Sequence, residues 1–552
     1  MPKRRRPKAV RPTPEQAVAP TVRQRLKGPA LAVLVCLGYL IPFVNKAFTI
    51  DDPLFLWAAQ HIQQHPADPY GFDVNWYSRS MPMAEVTKNP PLACYALALA
   101  GSLFGWSESA LHLAFLLPAV GAVWGTYRLA EDLSERPILA TLAAILTPVF
   151  LVSSTNVMCD TLMLCFWVWA VICWRRGQQQ PGWLIVAGLL ISLCALTKYF
   201  GVSLIPLLLV YSLIARRRVR YSLAALLIPI VILIAYQELT RRAYGRGLLL
   251  DAAGFSVGVR GTFGEGLLDP LIGLAFTGGC LASSFFYLPL LWSRRVLLIG
   301  VVLSVILLTP ALVFGRQWSI LLQTGIFLLG GLGVLALTVA DLWRRRDADA
   351  WLLFLWIAGT LLFAIGVNWV INARSLLPLA PAVGILLARR LDLLRGSVGG
   401  ALVWPEAWPF VPAAVVALLV TVADYQQADA ERTAARLIAD RCAGQPGILW
   451  FEGHWGFQYY LQQRGGVPVD TENLRFHKGD FIAIPSGNYG VLFEPTPEMA
   501  RDVLAIEEPL FPGLTTMSEE RGSGFYSHVH GPLPFAFGLA TPLRYRILRF
   551  LQ

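Results

Sequence analysis

Six ionisable side chains stand alone where long apolar runs meet short loops: Asp51, Asp52, Lys88, Asp160, Lys198 and Arg374. An ion beside hydrocarbon costs free energy unless it has a partner or a task. Asp51 and Asp52 close the first apolar run. An adjacent acidic pair there fits a helix stop at the water interface; it also fits a general base with a second acid that orients it or binds a metal. Transfer of a sugar needs such a base, because an acceptor hydroxyl must lose its proton as it attacks the anomeric carbon. Lys88 precedes Asn89-Pro90-Pro91, Lys198 ends the run "ALTK", and Arg374 precedes "SLLPLAP". Each cation fits an interface anchor whose stem snorkels to lipid headgroups. Together they fit a clamp on a lipid phosphate, where positive charge stabilises a departing anion and Arg374 binds in fork geometry. Asp160, after "SSTNVMC", fits a metal ligand or a substrate contact.

The elements that must carry these residues are membrane helices. The 552 residues are 55% hydrophobic with a mean hydropathy of +0.54, a balance rare in soluble domains. Counting the apolar runs predicts an α-helical polytopic membrane protein with about 13 spans. The expected spans are 29–49, 110–129, 137–154, 160–174, 182–197, 199–214, 221–239, 270–292, 296–314, 318–342, 350–370, 376–388 and 407–423. Every second loop is rich in arginine, such as "ARRRVR" (215–220), "RRR" (344–346) and "RRLDLLR" (389–395). The positive-inside rule places those loops in the cytoplasm and all six isolated ions on the opposite, outer face. Residues 89–105 are apolar enough to span, but a span there would turn every arginine loop outward. They are expected to be a short helix on or dipping into the outer face, and 53–64 an amphipathic interfacial helix anchored by Trp57. The stretch 240–269 is expected to be a second outer loop.

The net charge of +11 does not point to nucleic acid. Residues 1–424 carry 35 Lys+Arg against 21 Asp+Glu, and 425–552 carry 11 against 14, so the basic excess belongs to loops and tail and reports topology. Residues 1–28, with "PKRRRPKAVRP", are expected to be a basic disordered cytoplasmic tail, followed by a retained anchor helix with no cleavage site. The membrane domain is expected over 29–424. The polar residues 425–552 predict a small periplasmic α/β domain, with strands at 447–452, 480–485, 490–494 and 543–551 and a turn at "PSGN". The 8 cysteines show no metal or redox spacing. His528 and His530 would share one face of a strand, a pattern more often structural than metal-binding. "GGLG" at 330–333 lies in an apolar helix, where it predicts close helix packing and not a dinucleotide loop.

The order of these motifs resembles the C-type (GT-C) integral-membrane glycosyltransferases, in particular bacterial relatives of protein O-mannosyltransferases and of the lipid A aminoarabinose transferase. The resemblance runs through "TIDD" (49–52), "TKNPPL" (87–92), "NVMCD" (156–160), "LTKYFG" (196–201) and the arginine before "LPLAP" (377–381). It covers roughly residues 30–400. Two positions depart from the family pattern: the second acid is Asp52 where the family has Glu, and Asn89 touches Pro-Pro with Lys88 one step earlier.

The resemblance implies inverting transfer of one hexose or pentose from a polyprenyl-phosphate donor to a lipid, glycan or protein acceptor, at the periplasmic face of a bacterial inner membrane. Asp51 is the expected base, supported by Asp52; Lys88, Lys198 and Arg374 are expected at the donor phosphate. Asp160 is the expected contact for a divalent metal ion, if one is used. A lipid-linked-sugar flippase and a non-catalytic envelope assembly protein are the competing classes. A flippase needs ionisable or broken-helix sites near the midplane and often internal repeats, whereas here the ions cluster at one edge and the two halves do not match.

Overall fold

The first helix, Val22–Leu40, stops at the turn Ile41–Phe43, nine residues before its expected end. Pro42 brings no backbone N–H to extend the ladder. Residues 44–51 are thereby released as a loop that delivers Asp51 and Asp52 to the helix Asp52–Gln64. The computed structural model describes residues 22–263, 266–313, 317–396, 402–486 and 491–551. Most of the expected tail, residues 1–21, lies outside them; residues 22–28 already belong to the first helix.

The described chain is mostly helical. Five helices are long and apolar enough to cross a membrane, and two bent pairs raise that to seven; four shorter apolar helices accompany them. The expected span 137–154 is Pro137–Ile145 plus Pro148–Ser154, bent by 66°. Thr147 caps the second piece by accepting from the Phe150 N–H, and Pro148 sits in its first turn. The expected span 270–292 is Asp269–Cys280 plus Ala282–Leu291, bent by 83° where Leu281 leaves the helical region. These breaks, and the turn Tyr199–Ser203 ahead of Leu204–Ala215, keep several expected spans below full length. Close packing explains the glycines at 330–333. A Cβ on Gly331 would lie 2.2 Å from the Leu274 carbonyl oxygen, and one on Gly278 would lie 1.9 Å from that of Phe327.

Helices form in both of the expected stretches, Leu92–Phe104 within 89–105 and Asp52–Gln64 over 53–64. The expected outer loop 240–269 differs: Leu248–Phe263 is a helix. Leu249, Phe255 and Val257 line a cavity, and that packing offsets the weak helix propensity of Gly254, Gly258 and Gly261.

The last span continues without interruption as Phe410–Cys442, 33 residues and about 50 Å of helix. It runs through the expected boundary at 424/425. Beyond it lies a five-stranded mixed sheet in the order Val467–Pro468, Leu449–Phe451, Phe481–Pro485, Leu543–Phe550, Ala500–Glu508. The first three strands are parallel, and Leu543–Phe550 is antiparallel to both neighbours. Three of the expected strands form. Residues 491–494 are not a strand, and 490 with the last two residues of "PSGN" lies outside the described residues. The strand Ala500–Glu508 was not expected from its sequence. It is an edge strand whose Arg501, Asp502, Glu507 and Glu508 guard against further pairing. His528 and His530 lie in a 3-10 turn and not on a strand, because the His528 N–H and ring are used to hold a neighbouring loop.

Candidate active site

The loop 44–51 is clamped at every step. The Lys46 ammonium is fully buried and donates to Asp424 at 2.5 Å and Asn156 at 2.6 Å. The Phe48 N–H donates to the Tyr460 hydroxyl at 2.8 Å, and the Thr49 hydroxyl donates to Glu431 at 3.2 Å. Ile50 has φ +52°, a left-handed conformation that a β-branched side chain avoids. Such strain, of order 1–3 kcal/mol, persists only where surroundings over-determine it. It turns the chain so that two consecutive carboxylates meet different environments.

Asp52 points inward and is fully buried. One oxygen accepts the Thr49 N–H at 3.1 Å and the other the Val157 N–H at 3.0 Å. Burial pushes its carboxyl up to about 7, partly opposed by Lys46 and by those backbone donors. Asp51 is 29% exposed, does not cap its own helix, and meets Arg374 at 2.7 Å. Of the pair, Asp51 is the one that can reach a substrate, and Asp52 ties its backbone to the loop after Ser154.

Arg374 sits in the turn Ala373–Leu376, which the Asn372 side chain caps by accepting from Ser375 N–H at 2.9 Å. The sheet domain holds this turn through its backbone. The Ala373 N–H donates to Phe525 O at 2.8 Å, the His528 N–H donates to Ile371 O at 2.9 Å, and the Ile371 N–H donates to the His528 ring at 3.1 Å. Tyr526 lies beneath the guanidinium, 5.6 Å from ring centre to Arg374 Cζ, and its hydroxyl donates to Asp424 at 3.0 Å. Asp160 is buried between two cations, with Lys198 at 2.5 Å and Arg374 at 3.8 Å. Lys88 is held from the opposite side by Asp251 at 2.6 Å, with Phe255 stacked 4.9 Å from its ammonium. Arg246 links Asp251 to Glu85, fastening the helix Leu248–Phe263 to the segment ahead of Lys88.

Asp51, Lys88, Lys198 and Arg374 line one cavity of about 400 Å³. Its other walls are mostly apolar and aromatic, including Leu249, Ala252, Val257, Tyr199, Phe363 and Trp369, with hydroxyl and amide side chains such as Ser256, Asn368 and Asn372 among them. Asp52 and Asp160 stand behind the lining. The residues that the sequence motifs singled out are therefore brought together, four at the surface of the cavity and two in support. Asp160 does not suit a metal: its oxygens face two cations, and among the described residues no group of three or more His, Cys, Asp or Glu is placed to hold an ion. No step below is routed through a metal.

Sequence reasoning missed Lys46, Asp424, Tyr526, His528 and Asp251. Lys46 and Asp424 carried a usable signal, each being a lone ion at the edge of an apolar run. Tyr526 and His528 carried no signal of their place at Arg374: Tyr526 lies under its guanidinium and His528 holds the backbone of Ile371, 157 positions away.

Residues 88–238 match the family model described as dolichyl-phosphate-mannose-protein mannosyltransferase. That stretch holds Lys88, Asp160 and Lys198. No curated protein matches the chain. Among solved structures, it is similar to an oligosaccharyltransferase of Archaeoglobus fulgidus tethered to an acceptor peptide, at 12% identity and a TM-score of 0.47, over 80% of this chain and 63% of that one. The chain thus spans less than two thirds of that relative. It is also similar to ArnT of Cupriavidus metallidurans, at 14% identity in both forms: bound to undecaprenyl phosphate (TM-score 0.42, 83% and 92% coverage) and in the apo state (0.40, 82% and 92%). All three scores are under 0.5, and nothing below rests on them. By its motifs and by the match over 88–238, the chain resembles the GT-C integral-membrane glycosyltransferases.

Proposed function

We propose that this chain transfers a sugar from a polyprenyl-phosphate donor to an acceptor hydroxyl at the periplasmic face of a bacterial inner membrane, with inversion. The observation that carries this reading is the convergence of Asp51, Lys88, Lys198 and Arg374, from four separate segments, on one half-apolar cavity. The apolar wall suits the isoprenoid chain nearest the phosphate, and the three cations suit the phosphate itself. Each cation is already paired with a carboxylate, so an incoming phosphodiester competes for them. When Arg374 turns to the phosphate, Asp51 loses its partner and becomes free to accept a proton. The acceptor oxygen then attacks the anomeric carbon from the face opposite the phosphate, its proton passes to Asp51, and the C1–O bond breaks with its electron pair leaving on the phosphate. Lys198, Arg374 and Lys88 stabilise that charge as it forms. Asp160 keeps Lys198 and Arg374 side by side.

The test uses radiolabelled polyprenyl-phosphate hexose and pentose donors, the full chain in proteoliposomes, and an envelope fraction as acceptor. Label moves onto acceptor with the native chain, and Asp51→Asn slows transfer by roughly 10²- to 10⁴-fold, the size of a lost general base, with unfolding behaviour unchanged. A fully active Asp51→Asn protein sinks the mechanism. Donor that crosses the bilayer unchanged, without transfer, assigns the chain to flippases instead.

A further inference from the structure

A second cavity, of about 470 Å³, opens between the interfacial helix Asp52–Gln64, the strand Asp73–Asn75 and the helix Trp455–Gln462 of the sheet domain. We propose that it binds a neutral oligosaccharide, and that this is the acceptor of the reaction proposed above, on which the acceptor role rests.

The chemistry of the two cavities differs sharply. The first is lined by three cations; no lysine or arginine lines the second. Its polar groups are the amides of Gln60, Asn75, Gln462 and Gln463, the His61 imidazole and the carboxylate of Asp73, and its rings include Trp57 and Tyr459. Side-chain amides supply both donors and acceptors, which is what a hydroxyl-rich ligand requires. An aromatic face takes the apolar C–H face of a sugar ring, as it takes other flat apolar surface. An anionic ligand finds nothing here to neutralise it. Two polar atoms in the lining, His61 Nε2 and Gln462 Oε1, are buried without a hydrogen-bond partner in the structure.

Position supports the acceptor role. Trp57 packs edge-to-face on Trp76, 6.2 Å between ring centres at 82°. Trp57 lines the second cavity and Trp76 the first, so this pair is the wall they share. The same helix lines both, with Leu54 and Phe55 facing the first cavity and Trp57, Gln60 and His61 the second. About 14 Å of helix separates Asp51 from Gln60, a span that an oligosaccharide covers and a single sugar does not. The sheet domain fixes the far wall: Gln458 Nε2 donates to the Asn75 carbonyl at 2.6 Å, and Asn75 Nδ2 donates to the Val469 carbonyl at 2.9 Å.

The test is direct binding, read by saturation-transfer NMR on the detergent-solubilised full chain. The probes are mannohexaose, chitotetraose and arabinohexaose, with polygalacturonate as the anionic comparison. At least one neutral probe is expected to show saturation transfer. That signal should fall at least fivefold in Gln60→Ala/Gln463→Ala, whose side chains are half-exposed or exposed, and persist in Lys198→Ala. Polygalacturonate should give less signal than the neutral probe. No signal from any neutral probe, or a signal undiminished in the double variant, overturns the proposal. The readout needs no turnover, so a failed transfer assay and a failed binding assay point to different errors.

Discussion

Replacing Asp52 by asparagine separates its structural cost from its use. The carboxyl is fully buried and pushed up to about 7 from an ordinary 3.8, chiefly by that burial. Between those values the unfolded chain has released the proton while the native chain holds it. Native stability therefore falls as pH rises from about 4 to about 7, by about 4 kcal/mol in total, and is flat above. By pH 5 about 2 kcal/mol of this has already been lost. Asparagine does not titrate, but it has its own cost. Both Asp52 oxygens accept backbone N–H groups, which a neutral carboxyl can do at both oxygens and an amide at only one. The orphaned N–H costs about 1–3 kcal/mol. The two effects nearly cancel at pH 5. At pH 8 the Asp52→Asn protein is the more stable one, by about 1–3 kcal/mol. Transfer nevertheless falls, roughly 10- to 100-fold, because the amide displaces either the Thr49 or the Val157 backbone and with it the aim of Asp51. Reversible unfolding in mixed micelles at pH 5 and pH 8, beside initial transfer rates, checks both parts. A stability difference that is the same at the two pH values, or a native protein that is the more stable at pH 8, refutes a neutral Asp52.

Lys46→Met leaves Asp424 buried without its counter-ion and should lower stability by about 3–5 kcal/mol; the double change Lys46→Met/Asp424→Leu should restore most of it, and a lone Lys46→Met with native unfolding behaviour would show the pair to be idle. Arg374→Lys keeps the charge but loses the fork that reaches both Asp51 and Asp160. The lost charged hydrogen bond should lower kcat/KM for the donor lipid roughly 10- to 100-fold, and an unchanged value would remove Arg374 from the phosphate.

The site was legible in the sequence to the extent that its residues are costly where they stand. Asp51, Asp52, Asp160, Lys198 and Arg374 are ions at the ends of apolar runs, and such ions are few. The short helix Leu92–Phe104 was legible because a full span there reverses the expected charge asymmetry of every later loop. The sheet strands Leu449–Phe451, Phe481–Pro485 and Leu543–Phe550 were legible from apolar and β-branched runs bounded by turn residues. What was not legible depends on partners far along the chain. Lys46 finds Asp424 across 378 positions, and the Arg374 turn is held by main-chain groups of Phe525 and His528 and by the His528 ring. The cavity wall Leu248–Phe263 reads as loop in the sequence because its glycines and ions weaken the helical pattern, and its hold on Lys88 through Asp251 joins positions 163 apart. The bends at Thr147 and Leu281 depend on the packing around them, which periodicity cannot report.

The uninterrupted helix Phe410–Cys442 gives the molecule a stiff mast. Asp424, Gln427 and Glu431 follow one another along a single stripe of it, and they grip Lys46, Thr516 and Thr49 respectively. The bilayer-embedded half and the exposed half therefore share one spine. A cut at the point where composition changes would sever that spine between Asp424 and Glu431. The sheet-bearing half is accordingly coupled to the loop 44–51, and replacing it alone would strip that loop of its Glu431 and Tyr460 partners.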